Sequence, residues 1–178
     1  MRGALGLAFL LITIPAQGHD HSRCVVDARD REVCLHNAAR RIATLSPGAT
    51  ELTWAAGAGD QVVAVVSYSD YPPQAQEVAS VGSHTRIDLE ALVGLAPDLV
   101  IGWVTGNPAE QMETLEALGM PVFYIEPRSV EDVAHTIERL ARLAGTEPTG
   151  RQAASEFRDG MAALTARYRE RDPAPTFY

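Results

Sequence analysis

Continuous apolar runs, each followed by a segment of helical spacing, constrain this chain more than any other feature. Val62-Val63-Ala64-Val65-Val66, Leu99-Val100-Ile101 and Val122-Phe123-Tyr124-Ile125 show no alternation of apolar and polar residues. A strand apolar at every position needs cover on both faces, and a parallel sheet flanked by helices supplies it. The pattern reads as strand 41–46, helix 49–58 with Glu51 in its first turn, strand 61–67, helix 88–96, strand 98–103, helix 109–118 and strand 122–126. Gly119 and Pro121 stop the third of these helices. From Ser129 a further helix carries Val130, Val133, Ala134, Ile137, Leu140, Ala141 and Ala144 as one apolar stripe. The expected fold class is α/β, a Rossmann-like lobe of four parallel strands with helices on both faces.

Two of the strands run into exposed turns rich in glycine, proline and aromatic residues. Thr44-Leu45-Ser46 leads to Pro47-Gly48-Ala49, and Val62–Val66 leads to Ser67-Tyr68-Ser69-Asp70-Tyr71-Pro72-Pro73. Ligands of open parallel sheets sit at the carboxyl ends of the strands, so these turns mark one lip of a cleft. Gly48 permits close approach of backbone to a ligand, and Tyr68 offers a stiff flat face with a polar tip. Tyr71 is expected to pack under the turn with Pro72. Trp103 ends its own strand at the same edge, before the turn Val104-Thr105-Gly106-Asn107-Pro108, whereas Trp54 falls inside a helix and reads as core.

Beyond these elements one long helix is expected over 150–171, with Phe157, Met161, Leu164 and Tyr168 on one side. Pro173 and Pro175 end it, and Thr176-Phe177-Tyr178 reads as the opening of a strand. A buried-type strand that opens at the last residues leads to the expectation of a fragment whose second lobe is absent.

With 178 residues, 46% of them hydrophobic and 21% charged, the chain has the composition of one globular domain. A net charge of -8 leaves no basic stripe for nucleic acid. Arg2 and the apolar stretch from Ala4 to Ile14 read as a secretory signal over residues 1–18, cut after Gly18 and too short to span a bilayer. The mature chain is therefore expected to be exported, with no membrane insertion. Export gives Cys24 and Cys34 a meaning. They flank a polar turn centred on Arg29, which places them opposite one another in a hairpin and predicts a disulfide. A metal site from His19, His21 and the thiols matches no zinc spacing. Nor does the sequence hold a Gly-x-Ser-x-Gly elbow, a Walker loop or a metal-spaced His/Glu pair, so no catalytic residue is assigned.

Read in order, strand-Ser46-Pro47-Gly48-Ala49-Thr50-Glu51-Leu52, strand-Ser67-Tyr68-Ser69-Asp70-Tyr71-Pro72-Pro73, Val81-Gly82, Asp88-Leu89-Glu90, Ala96-Pro97-Asp98-Leu99-Val100-Ile101, Trp103, Gly106-Asn107 and Leu118-Gly119-Met120-Pro121 resemble the periplasmic vitamin B12-binding proteins over about residues 39–178. These are substrate-binding components of ABC importers, in a wider group that also carries siderophores and haem. The resemblance implies two α/β lobes joined by one long helix, divided here as lobe 24–148 with its leading hairpin, bridging helix 149–172 and the start of a second lobe at 173–178. It implies a non-enzymatic receptor whose transported ligand is cobalamin and whose partners are a permease and its ATPase. Ligand contacts carried over are Pro47, Gly48, Ala49, Tyr68, Trp103, Gly106 and Asn107, and Glu90 falls where the family docks onto the permease. Asp88 and Glu90 both stand at a helix start, where either carboxylate can meet the macrodipole.

One position departs from the pattern. His84 stands where the similar B12 binders place a second tryptophan. It reads either as an exposed loop residue or as a ligand-facing group able to bond a corrin amide or to ligate cobalt or haem iron. That keeps a haem or ferric-siderophore receptor as the alternative ligand class. A secreted enzyme or metal-handling domain on the same sheet is the alternative of another kind.

Overall fold

The computed structural model describes residues 22–169. The expected secretory signal at 1–18, His19, His21 and everything from residue 170 on, including the expected strand at 176–178, lie outside the described residues.

The chain enters through a hairpin of β1 (Arg23–Val26) and β2 (Glu32–Leu35), whose register sets Cys24 opposite Cys34 in a disulfide. Its turn closes on Asp27, which is buried and accepts hydrogen bonds from the Arg29 and Arg31 amides. Beyond it, β3 (Ile42–Thr44), β4 (Val62–Ala64), β7 (Leu99–Trp103) and β8 (Val122–Ile125) form one parallel sheet in the order β4-β3-β7-β8. The hairpin tip closes the outer edge of β8, where the Ala28 amide donates to the Tyr124 carbonyl and the Arg29 guanidinium lies 4.6 Å from the Tyr124 ring.

Both sheet faces are buried, and the strand residues divide between them. Ile42, Leu99, Ile101, Phe123 and Ile125 point into one apolar layer, and Ala43, Val100, Val122 and Tyr124 into the other. The first layer is covered by α1 (Pro47–Ala55), α4 (Val130–Ala144) and α5 (Glu147–Tyr168); the second by α2 (Leu89–Gly94) and α3 (Ala109–Ala117). On α4 the buried residues are Ala134, Thr136, Ile137, Leu140, Ala141, Leu143 and Ala144, which contains most of the expected stripe. Gly145, at φ 75°, ends α4 and turns the chain straight back into α5. There Gly150 lies so close to Ala141 that a side chain would overlap it, and Arg158 reaches Glu131 and Glu138 of α4. Past Met161 every described residue of α5 is exposed, Leu164 and Tyr168 included, while Phe157 packs on the core.

Several element ends move from their expected places, each for a local reason. Helix α1 begins at Pro47 because the Ser46 side chain caps it and proline suits the first turn, so Glu51 is not in that turn. Strand β4 leaves the ladder after Ala64, because Val65 turns to bond the 79–81 segment instead. Asp88 becomes the cap of α2, and α5 starts at Glu147, ahead of 149–150, with Pro148 in its first turn. A small antiparallel pair, β5 (Gly82–Ser83) and β6 (Arg86–Ile87), was not expected at all. Tyr71 does not pack beneath its turn. It is exposed, and the turn is held instead by buried Ser69, whose hydroxyl accepts from Thr50 at 3.0 Å.

Candidate functional site

At the carboxyl ends of all four parallel strands lies an open cleft of ≈ 520 Å³, lined by Ser46, Pro47, Gly48, Tyr68, His84, Trp103, Ile125, Glu126 and Pro127. Five of the residues expected from sequence meet here: Pro47, Gly48, Tyr68, His84 and Trp103. They come from four separate parts of the chain. Strand β3 delivers Pro47 and Gly48, the turn after β4 delivers Tyr68, the β5–β6 tip delivers His84, and β7 ends in Trp103.

Tyr68 is 81% exposed and its backbone sits at φ 69°, a left-handed conformation that costs a bulky residue of the order of 1–2 kcal/mol. The turn that imposes it is tied down on the near side, where the Ser67 amide and hydroxyl both donate to the Gly82 carbonyl at 2.8 Å. The His84 and Trp103 rings stand 5.9 Å apart at 43°, forming a tilted aromatic wall. Gly48 has open space where a side chain would project, so its bareness keeps the cleft floor accessible.

The remaining three expected contacts do not line the cleft. Ala49 is fully buried, and its amide donates to the Ser46 cap. Gly106 is the seat of the Trp103 indole, since any side chain there would overlap that ring. Asn107 is buried behind the wall, with its carboxamide bonded to Trp103, Leu45 and His84 backbone groups. Sequence reading missed Ile125, Glu126 and Pro127, although the strand-end rule that selected Trp103 applies equally to the end of β8. Glu126 accepts from the Thr105 amide and hydroxyl at 3.0–3.2 Å, clipping the β7 and β8 ends together.

The lining is mostly apolar and aromatic, with one carboxylate and no lysine or arginine. The Ser46 hydroxyl caps α1 by accepting from the Ala49 amide. His84, Tyr68 and Glu126 are the lining groups whose chemistry could ligate a metal held in a chelate. Elsewhere Cys24, Glu32 and Cys34 lie close enough to share a metal ion, but the two sulfurs are bonded to each other. Glu90 is exposed on the first turn of α2, and the helix cap is Asp88, whose carboxylate accepts from the Ala91 amide.

Comparison with known proteins agrees with this layout. The chain is 41% identical to the vitamin B12-binding protein of Vibrio parahaemolyticus over 138 residues, 78% of this chain and 50% of that protein. It is 37% identical to the vitamin B12-binding protein of Yersinia pseudotuberculosis over 176 residues, 99% of this chain and 56% of the relative. Among solved structures, the periplasmic vitamin B12-binding protein of Vibrio cholerae superposes with a TM-score of 0.72 at 39% identity, covering 76% of this chain and 53% of the other. A periplasmic haem-binding protein of Roseiflexus superposes at 0.69 with 28% identity, covering 78% and 53%. The chain thus spans about half the length of the relatives it matches. Since the periplasmic binding protein profile matches residues 42–178, which takes in the whole sheet and every residue of the cleft, this chain belongs to the periplasmic binding protein family.

Proposed function

We propose that this chain is the N-terminal lobe and bridging helix of the substrate-binding component of an ABC importer, and that its cleft is one wall of a cobalamin site. The observation that carries the reading is the aromatic wall of Trp103 and His84 together with exposed Tyr68, in a lining that holds no lysine or arginine. A corrinoid presents a broad flat ring edged with neutral amides, which such a wall contacts by stacking and a few hydrogen bonds. Identity of 37–41% to vitamin B12-binding proteins supports the same ligand. Haem or a ferric siderophore is the second reading, favoured by His84 in the lining and by the haem-binding neighbour. Haem carries propionates, for which the lining of this lobe offers no lysine or arginine, although Arg128 stands 3.9 Å from the lining Glu126, so the identity to vitamin B12-binding proteins is what favours cobalamin.

In this reading residues 1–18 are a signal removed near Gly18, and residues 24–148 form the periplasmic lobe. Residues 149–172 are the bridge, and 173–178 lead into a second lobe. Glu90, exposed and not used as the cap of α2, faces the permease, whose ATPase drives transport.

Equilibrium dialysis of the exported chain against cyanocobalamin and hemin, each at up to about 1 mM to capture a one-walled site, tests the proposal. Cyanocobalamin is expected to bind, and Trp103→Ala to weaken it by about 1–3 kcal/mol. Retention of hemin alone would replace the first reading by the second. Glu90→Ala is expected to leave this titration unchanged while reducing association with the permease; a change in ligand affinity would move Glu90 into the site.

A further inference from the structure

Behind the aromatic wall, one side chain joins three segments of the cleft. The Asn107 carboxamide is 8% exposed. Its Oδ1 accepts from the Trp103 amide at 2.6 Å, and its Nδ2 donates to the Leu45 carbonyl at 2.8 Å and the His84 carbonyl at 2.9 Å. The orientation of the amide is fixed by its partners, since an N–H needs an acceptor and two carbonyls need donors. Every bond made is to backbone, and two of the three belong to the very residues whose rings form the wall. The third, Leu45, immediately precedes the Ser46-Pro47-Gly48 floor. Asn107 itself is held by its amide, which donates to the Trp103 carbonyl at 3.1 Å.

We infer that Asn107 is a positioning residue of the cleft, setting the separation of the His84 and Trp103 rings and their height above the β3 end through these three backbone bonds. Ligand does not touch it. No other side-chain type supplies one acceptor and two donors in a plane of this reach. Aspartate keeps the acceptor and loses both donors, alanine loses all three, and glutamine is one methylene longer. The inference rests on the reading of this cleft as the ligand wall, and its experiment separates the two.

Asn107→Asp and Asn107→Ala are compared with the parent, all in a Trp54→Phe background so that Trp103 is the sole tryptophan emitter. Without ligand, Asn107→Ala is expected to shift Trp103 emission and to speed exchange of the Trp103 amide by about tenfold or more. With cyanocobalamin, both variants are expected to bind about tenfold more weakly than the parent at about pH 8. Burial against two carbonyl oxygens favours the protonated acid in Asn107→Asp, and protonation returns one donor. The affinity of that variant relative to the parent at the same pH is therefore expected to recover about threefold by about pH 5, a ratio in which pH effects common to both proteins cancel. Asn107→Ala is expected to show no such recovery.

Parent-like affinity with unchanged emission and exchange would overturn the inference. So would an equal, pH-independent loss in both variants with Trp103 emission unchanged, which would mark Asn107 as merely structural. If Asn107→Ala does not fold, the pH profile and emission of Asn107→Asp decide. A parent that retains neither cyanocobalamin nor hemin would remove the proposed function, and the ligand-free emission and exchange would still decide the role of Asn107.

Discussion

The two ends of this lobe are held together by different physics. Where α5 returns along α4, shape does most of the work: Ala134, Ile137, Leu140, Ala141 and Ala144 pack with Gly150 and Ala154 in a layer without a polar bridge at its centre. Ion pairs such as Arg158 with Glu138 at 2.8 Å stay at its margin. At the cleft the connections are polar side chains reaching for one another or for backbone. Thr44, Thr50 and Ser69 hydroxyls form a chain, Ser67 holds Gly82, Asn107 holds three strand ends and Glu126 holds Thr105. If the cleft receives a flat ligand, as proposed, it cannot bury its own aromatic rings, and the rim is shaped by directional bonds from behind. Packing is concentrated where nothing has to enter.

The sharpest way to break this comparison is to disturb the helix contact. Gly150→Val places branched atoms where Ala141 already sits, and α5 must move off α4. A loss of about 3 kcal/mol is expected in urea unfolding, at the upper end for overpacking. Trp103→Ala, half-buried at the rim, is expected to cost about 1 kcal/mol or less in the same measurement while damaging binding. If the rim variant proved the more destabilising of the two, the division of labour would be wrong.

The hairpin offers the next largest effect. Cys24 and Cys34 are ten residues apart and directly paired, so the bond closes a short loop. Replacing both by serine is expected to cost about 2–3 kcal/mol. The hairpin docks on Tyr124 at the outer edge of β8 and, through salt bridges of Arg23 and Arg31, on Glu147 and Glu116, and none of these three residues lines the cleft. Folded protein without the disulfide should therefore retain parent affinity for cyanocobalamin by dialysis at a temperature below both unfolding midpoints. A parallel fall in affinity would show that the hairpin shapes the rim.

The same contrast explains which parts were legible in the sequence. Layers that depend on burial leave periodic traces. Leu99-Val100-Ile101 feeds both faces of the sheet, and the α4 stripe recurs at three- and four-residue steps. Pairing of Cys24 with Cys34 followed from symmetry about a turn. Cleft residues at strand ends were found where a strand had been recognised, as with Pro47, Gly48 and Trp103. The polar rim leaves no such trace. Asn107 and Gly106 lie in the right turn, but only the fold shows that one ties Leu45 to His84 across 62 and 23 residues of sequence and the other seats an indole. Two-residue strands such as β5 and β6 are too short to carry a pattern, and Tyr71 looked like packing because exposure of one aromatic beside another has no signature.

The smallest expected effect is also the one that most directly opposes the two regions. Tyr68 holds a left-handed backbone at φ 69° with its ring in solvent, so the ring gives little back to folding. Tyr68→Ala keeps the conformational penalty, whereas Tyr68→Gly removes it. Glycine is therefore expected to be more stable than alanine here, by about 0.5–1 kcal/mol after its greater freedom in the unfolded chain is set against the relieved strain. At Ala153, on α5 against the core, the order is expected to reverse, with Ala153→Gly losing about 1 kcal/mol. Under the proposed function both Tyr68 variants should weaken cyanocobalamin binding, because there the exposed ring and not the backbone would meet the ligand. Urea midpoints for the three variants decide the matter. The same sign at both positions would mean that Tyr68 carries no strain, and that the cleft rim is held no differently from the helix layer behind it.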